Sequence, residues 1–512
     1  MKERSRTEYS LLNMITGLGG YAINTILGFV CRMVFVKCLS ADYLGVNGLF
    51  TNLLTVLSLA ELGIGNAVVF ALYKPLAEHD EKKIASLVKF YGKAYKIIGI
   101  VVAVVGIAMI PFLSMIIKSQ PNIAENIYLL YAINLFNTSS TYFFSYRSSL
   151  IIAAQQNYIV SGVNYIITIL QSIVQMIVLL ATHNYLLYLL IQTVGTFLYN
   201  IIISKIAVIK FPYIKSKDID KLPVEEKKTL FANIRDLMIY KISGLLVNST
   251  DNILITFFKG LSITGIASNY TLLVNTLTSL LGQIFNGLTA SIGNHNALES
   301  NDKKYEMFSF FNLLNFWIFG WASLGIVFCS SDIVKLCFGK EYVLPTYIPI
   351  IMAVNFFSTG MLNAIWTYKH TMGLFHYGRF MQIFTGVFNI VFSIVLGKYF
   401  GLFGILAATF FARLLTNMWY DPYAVYKYGF EMNPLKYLKK YAYYLIVLAI
   451  AIVGCIFGMR LIHGNMIVVV LGKIIVCSVI TNIVFYIAFC KSNEFKKIKN
   501  VCDNVKNIII RK

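Results

Sequence analysis

Long apolar runs and short polar breaks alternate along the whole chain. Fourteen runs are long enough to span a bilayer. The first seven are Leu11–Val36, Tyr43–Tyr73, Ile97–Ile117, Ile127–Tyr146, Tyr158–Ala181, Tyr185–Ile209 and Leu237–Phe258. The second seven are Ile263–Ile292, Phe308–Phe328, Pro345–Tyr368, Phe380–Leu396, Leu402–Val425, Tyr441–Met459 and Met466–Phe489. A membrane-crossing helix needs about 20 apolar residues, and longer runs fit by tilting. A transmembrane barrel would alternate apolar and polar residues, whereas stretches such as Ile97–Ile110 are unbroken. Backbone polar groups in lipid must be satisfied within the element, so the pattern predicts helices. The expected fold class is all-α: a polytopic membrane protein of about 14 transmembrane helices, two six-helix bundles plus two C-terminal helices.

Composition agrees. The 512 residues are 58% hydrophobic and 13% charged, with a mean hydropathy of +0.70. Soluble chains run to about 45–50% apolar and about 25% charged residues, so a soluble enzyme, a disordered scaffold and a disulfide-rich secreted domain are excluded. The net charge of +21 would suggest nucleic acid in a soluble protein. In a membrane protein the excess Lys and Arg instead collects in cytoplasmic loops, and no nucleic-acid partner is expected. With the N-terminus inside, 33 basic residues fall on inner segments (Lys205 counted with the loop its span enters), 7 on outer loops and four within spans. That split predicts a multi-pass protein of the bacterial cell membrane with both termini cytoplasmic. The polar N-terminus begins no typical signal peptide. None of the eight cysteines forms a CxxC pair, and the six histidines show no metal-ligand spacing, so no metal or cofactor is expected.

The division into domains follows the loops. The longest polar stretch, Lys210–Arg235, separates six helices from the next six. The expected boundaries are 1–212 for the N-terminal bundle, 213–236 for a cytoplasmic linker, 237–427 for the C-terminal bundle, and 428–512 for two extra helices and a basic tail. A second inner loop, Lys74–Lys96, is charged and amphipathic. A shift of 220 residues places the segment from Leu44 over that from Thr264, matching Gly45 with Gly265, Thr51 with Thr271 and Leu53 with Leu273. The match falls after the first helix of each half, as in transporters built from repeated halves.

Several spans carry polar or small residues three or four apart, on one helical face. The first shows Gly17, Gly20, Asn24, Gly28 and Arg32; the fifth shows Asn164, Thr168, Gln171 and Gln175. The seventh shows Lys241, Gly244, Asn248 and Asp251, and the eighth Thr271, Asn275, Thr278 and Gly282. Small and hydroxyl residues serve helix packing, whereas the amide runs suit a water-filled cavity. Charges within spans cost about 2.5–3.5 kcal/mol each and mark a wet pathway or a partner. The candidates for a substrate-binding cavity are therefore Arg32, Lys241, Asp251, Arg413, Asn248 and Glu61, with Glu61 also suited to a structural pair. Arg147, Lys369 and Asp421 lie near inner helix ends, and Lys473 is expected to snorkel from a peripheral helix.

Catalytic signatures are absent. Four Gly-Lys dipeptides, at Gly92, Gly339, Gly397 and Gly472, lack the following Ser or Thr of a phosphate-cradling loop. No hydrolase, zinc-protease or kinase motif appears, so the chain is not expected to be an enzyme.

The segments Tyr43-Leu44-Gly45-Val46-Asn47-Gly48-Leu49-Phe50, Glu61-Leu62-Gly63-Ile64-Gly65-Asn66-Ala67, Tyr73-Lys74-Pro75-Leu76-Ala77 and Ser249-Thr250-Asp251-Asn252-Ile253-Leu254 resemble the polysaccharide-transporter branch of the multidrug/oligosaccharidyl-lipid/polysaccharide exporter superfamily. The resemblance implies two facing six-helix bundles, alternating access, and flipping of an undecaprenyl-diphosphate-linked oligosaccharide from the inner to the outer leaflet. It implies membrane lipids, a lipid-linked oligosaccharide, and a polysaccharide polymerase and glycosyltransferases as partners. A cationic, amide-rich cavity suits a diphosphate bearing sugars. The alternatives are a cation-coupled multidrug exporter of the same fold, or a non-transporting membrane scaffold for polysaccharide synthesis. The basic lean of the buried charge and the two extra helices favour the flippase.

Overall fold

The structure is a computed structural model that describes residues 6–58, 64–117, 121–216, 222–223, 225, 227–228, 230, 250–374 and 377–497. Glu61, Lys241 and Asn248 lie outside the described residues. The described residues are helical, with no strand among them. They fall into two compact units, Met1–Gly265 and Ile266–Lys512.

The first unit opens with α1 (Arg6–Cys38), α2 (Ala41–Leu57), α3 (Ile64–Ala77) and α4 (Glu81–Met109). The stretch read as the charged inner loop Lys74–Lys96 is thus mostly helix. Asp80 caps α4 by accepting the Lys83 backbone N–H at 2.9 Å, and the amphipathic pattern lets the helix begin well before its apolar run. The short α5 (Leu113–Ile116) is followed by α6 (Ile127–Ala153), α7 (Asn157–Thr182) and α8 (Tyr185–Lys210). Buried tyrosines fill the space between α4 and α6; the Tyr131 hydroxyl donates to the Gly106 carbonyl at 3.1 Å, which satisfies a polar atom in an apolar core.

Next come α9 (Asp251–Leu298), α10 (Asn301–Phe338), α11 (Tyr347–Thr371), α12 (Arg379–Leu414), α13 (Asn417–Ala424), α14 (Leu435–Met459) and α15 (Met466–Phe489). Two of these runs are hairpins. Gly260 (φ 83°, ψ 171°) interrupts α9, and Thr256 and Thr264 share a 2.9 Å hydroxyl bond across it. Eight helical residues would span about 12 Å, so the chain reverses at Gly260. Gly401 (φ 59°, ψ −133°) does the same in α12, where Thr385 meets Thr416 at 2.7 Å and Asn389 donates to Thr409 at 2.9 Å. Glycine takes these positive φ values without a Cβ penalty. The two turns sit where the apolar pattern separates Phe258 from Ile263 and Leu396 from Leu402.

In the second unit α10 is central. One face joins an aromatic core with Phe285, Phe308, Phe319, Tyr368 and Tyr426. The other stacks Phe316 on Tyr444 at 4.3 Å and packs Phe485 and Phe489. The C-terminal hairpin α14–α15 is therefore docked on α10. Trp317 donates to Asn482 at 2.7 Å, Trp321 to Ser478 at 3.1 Å, and Lys473 to Asp332 at 2.6 Å. Lys473 is thus ion-paired rather than snorkelling, because Asp332 lies within its reach across the α10–α15 contact.

Outward faces are apolar. On α7, Ile166, Leu170, Ile173, Ile177 and Leu180 are all exposed, a stripe three or four residues apart and about 21 Å long. Such a stripe is costly in water and fits lipid. Nine helices among the described residues are long and apolar enough to cross a membrane, and the α12 run counts once there although it doubles back.

Candidate functional site

Arg32 is half-buried on α1, which packs along α7 and lies in electrostatic reach of the Tyr188 phenol on α8. The glycines of the same stripe serve packing in part: a Cβ on Gly20 would stand 1.9 Å from Tyr165, whose hydroxyl donates to the Gly17 carbonyl at 3.3 Å. On α7 the amides divide. Gln175 is buried and donates to the Tyr188 carbonyl at 3.0 Å, while Gln171 donates to Gln175 at 3.4 Å. These two bind α8 to α7 and need no water-filled cavity, a correction to the cavity reading of that stripe. Asn164, farther along, is exposed.

Asp251 is half-buried in the first turn of α9, after a bend at Thr250, where its charge complements the helix N-terminus. Arg413 belongs to the second arm of α12 in the other unit. It is 9% exposed, and its guanidinium donates to the Thr359 hydroxyl of α11. Arg32 and Asp251 thus lie in the first unit and Arg413 in the second.

Two helices present polar faces among apolar neighbours. On α2, Thr51 is exposed and Asn47 and Thr55 are partly so; each threonine returns its hydroxyl to a carbonyl four residues earlier, at 2.7 Å. On α9, Asn275 and Thr278 are exposed, and Thr271 and Thr278 make the same return bonds at 3.2 and 2.8 Å. Thr51 and Thr271 are the residues matched by the 220-residue shift. Exposed Asn side chains are poorly suited to lipid, so both faces fit water or a polar ligand.

A second internal match escaped the sequence reading. Phe144-Ser145-Tyr146-Arg147 on α6 corresponds to Trp366-Thr367-Tyr368-Lys369 on α11, 222 residues later: aromatic, hydroxyl, Tyr, cation. The signal was the order of side-chain types, which identity counting does not register. In the second unit Lys369 donates to Asp421 Oδ1 at 2.5 Å, and Trp366 Nε1 donates to Oδ2 at 2.9 Å. In the first unit Arg147 donates to the Ser204 hydroxyl of α8 and sits over the Tyr146 ring at 5.3 Å. Asp421 is fully buried and doubly bonded, as a buried carboxylate must be. A π-helical turn, Val425–Gly429, follows directly on α13.

Among the described residues no cluster of His, Cys, Asp or Glu has the makings of a metal site.

The described residues build a polytopic all-α fold. No family model and no curated protein sequence matches the chain. Among solved structures, the lipid II flippase MurJ in an inward closed conformation is similar with a TM-score of 0.64 and 15% identity, over 93% of this chain and 100% of that one. A point mutant of the Vibrio cholerae MATE transporter VcmN gives 0.57 and 13%, over 83% and 98%. An inward-facing multidrug resistance MATE transporter of the MOP superfamily gives 0.55 and 13%, over 78% and 94%. At these identities the likeness is one of fold.

Proposed function

We propose that this protein is a secondary transporter that flips a polyprenyl-diphosphate-linked oligosaccharide from the inner to the outer leaflet for cell-surface polysaccharide synthesis. The observation that carries the reading is the extent of the likeness: the lipid II flippase matches 93% of the chain, the two MATE transporters 78% and 83%. A lipid-linked cargo needs a polar route for its head and an apolar one for its tail. The polar faces of α2 and α9 supply side chains for the first, and lipid-facing helix surfaces for the second.

In this reading the six-helix divisions at 1–212 and 237–427 carry the alternating access, and Arg32, Lys241 and Arg413 balance the diphosphate, with Asn248, Asp251 and Glu61 as polar neighbours. Cations offset the cost of moving a dianion through hydrocarbon. Deleting the gene should leave lipid-linked oligosaccharide in the inner leaflet and stop polymer export. Arg32→Ala and Arg413→Ala, at normal membrane abundance, should fail to restore it. Full export in the deletion strain, together with lost efflux of a cationic dye, would identify a multidrug exporter instead.

A further inference from the structure

The two repeat-related cations differ in how their charge is met. In the second unit Lys369 is neutralised by the Asp421 carboxylate at 2.5 Å. In the first, Arg147 reaches the Ser204 hydroxyl of α8, which carries no charge. Among the described residues no carboxylate stands within ion-pair distance of the half-buried Arg147. Ser204 accepts one of the five N–H donors of a guanidinium, and the Tyr146 ring covers one face; the fork keeps donors for a planar or tetrahedral oxyanion. A second cation, Lys210, lies six residues on along the same helix, about 9 Å along its axis, and donates to Gln156 Oε1 at 2.5 Å.

We propose that Arg147, bonded to Ser204 and set over the Tyr146 ring, is a phosphate-binding site of the first unit, and that its ligand is a phosphate or diphosphate ester at the membrane surface. Resting on the flippase reading, the diphosphate of the lipid carrier is the occupant this chemistry fits, and Arg147 is the residue that selects a charged carrier over a neutral lipid. The second unit holds no counterpart, since Asp421 occupies the cation there. The asymmetry makes the anion site a property of one half.

Setting a carboxylate beside Arg147 tests the site. Purified full-length protein in phosphatidylcholine nanodiscs is titrated with farnesyl diphosphate, inorganic pyrophosphate and phosphatidylglycerol. Wild type should bind farnesyl diphosphate, and farnesol should not compete. Ser204→Asp, which sets a carboxylate within reach of Arg147, should weaken binding at least about tenfold while keeping the melting temperature, because a charge-assisted bond to the ligand is lost. Ser204→Ala should bind within about twofold of wild type, since the guanidinium remains. Arg147→Gln should lose binding, and Arg147→Lys should keep part of it. Competition by pyrophosphate places the affinity in the phosphates alone; competition by phosphatidylglycerol identifies a resident headgroup as an occupant of the same oxyanion site. Undiminished binding in a folded Ser204→Asp or Arg147→Gln protein overturns the proposal, as does a wild type that binds none of the three probes. If polymer export requires the protein and these variants still bind and export normally, the flippase reading stands and this site does not.

Discussion

Gly45 and Gly265 face one another through a reciprocal contact. A Cβ on Gly45 would lie 2.0 Å from the Leu261 carbonyl oxygen, and a Cβ on Gly265 would lie 2.0 Å from that of Ala41. Shifting Ala41 and Gly45 by 220 residues gives Leu261 and Gly265, so the two contacts are one contact seen twice. The short internal match in the sequence is thus a two-fold-like crossing of α2 with the start of the second arm of α9. Backbones meet there at a distance no side chain permits, the small-residue logic of helix crossings in membranes.

Because the obstacle is backbone, no rotamer relieves it. Gly45→Ala and Gly265→Ala should each lower stability by about 1–3 kcal/mol, as overpacking does. Thermal melting in detergent reads the effect, and unchanged melting in both variants would refute the crossing. Gly28→Ala, with nothing within 4 Å of its Cβ, is the matched control.

Lys369 and Asp421 form a buried pair, with side chains 10% and 1% exposed. Removing one partner strands the other charge, so Asp421→Asn should cost about 3–5 kcal/mol, while Lys369→Met combined with Asp421→Leu should cost much less. Melting of the three proteins decides it. Equal losses in the single and double variants would show that the pair is not the source of the cost.

Beyond α15, Glu494 accepts from Lys440 at 2.7 Å. Burial pushes its carboxyl up, but the Lys440 hydrogen bond and charge outweigh that and hold it below the ordinary value of 4.5. A depressed carboxylate adds stability that is present above its unfolded pKa and is lost as the pH falls through the folded one. Docking of residues 491–497 should therefore weaken below the usual carboxylate range, by about 0.5 kcal/mol for a partly exposed pair. Proteolysis near Lys491 should rise as the pH drops below about 4 in wild type, and Glu494→Gln should show no such step.

The reversal at Gly401 makes Tyr399, 73% exposed, part of a turn between two spans. With both termini cytoplasmic, a cysteine at Tyr399 should react with a membrane-impermeant maleimide from outside, and one at Ser216 only after permeabilisation, in a background whose exposed native cysteines are serine. Labelling of both from the same side would sink the orientation.

Helix formation and span length were legible in the chain because hydropathy and backbone satisfaction are local: each apolar run must bury its own N–H and C=O groups whatever its neighbours. The glycine turns were legible for the same reason, as polar or flexible breaks between Phe258 and Ile263 and between Leu396 and Leu402. The partner of each polar side chain was not, since that depends on which helix lies opposite. Gln171 and Gln175 carried the marks of a wet face and instead tie α7 to α8. Arg413 looked like a lone intramembrane charge and is bonded to Thr359; Lys473 meets Asp332, 141 positions away. The 220-residue match was visible as three identities, but only close backbone approach shows why glycine stands at 45 and 265. Sequence alone determines what a membrane helix is made of; tertiary structure decides whether its polar face meets another helix or water, because desolvation cost is set by the neighbours a side chain is folded against.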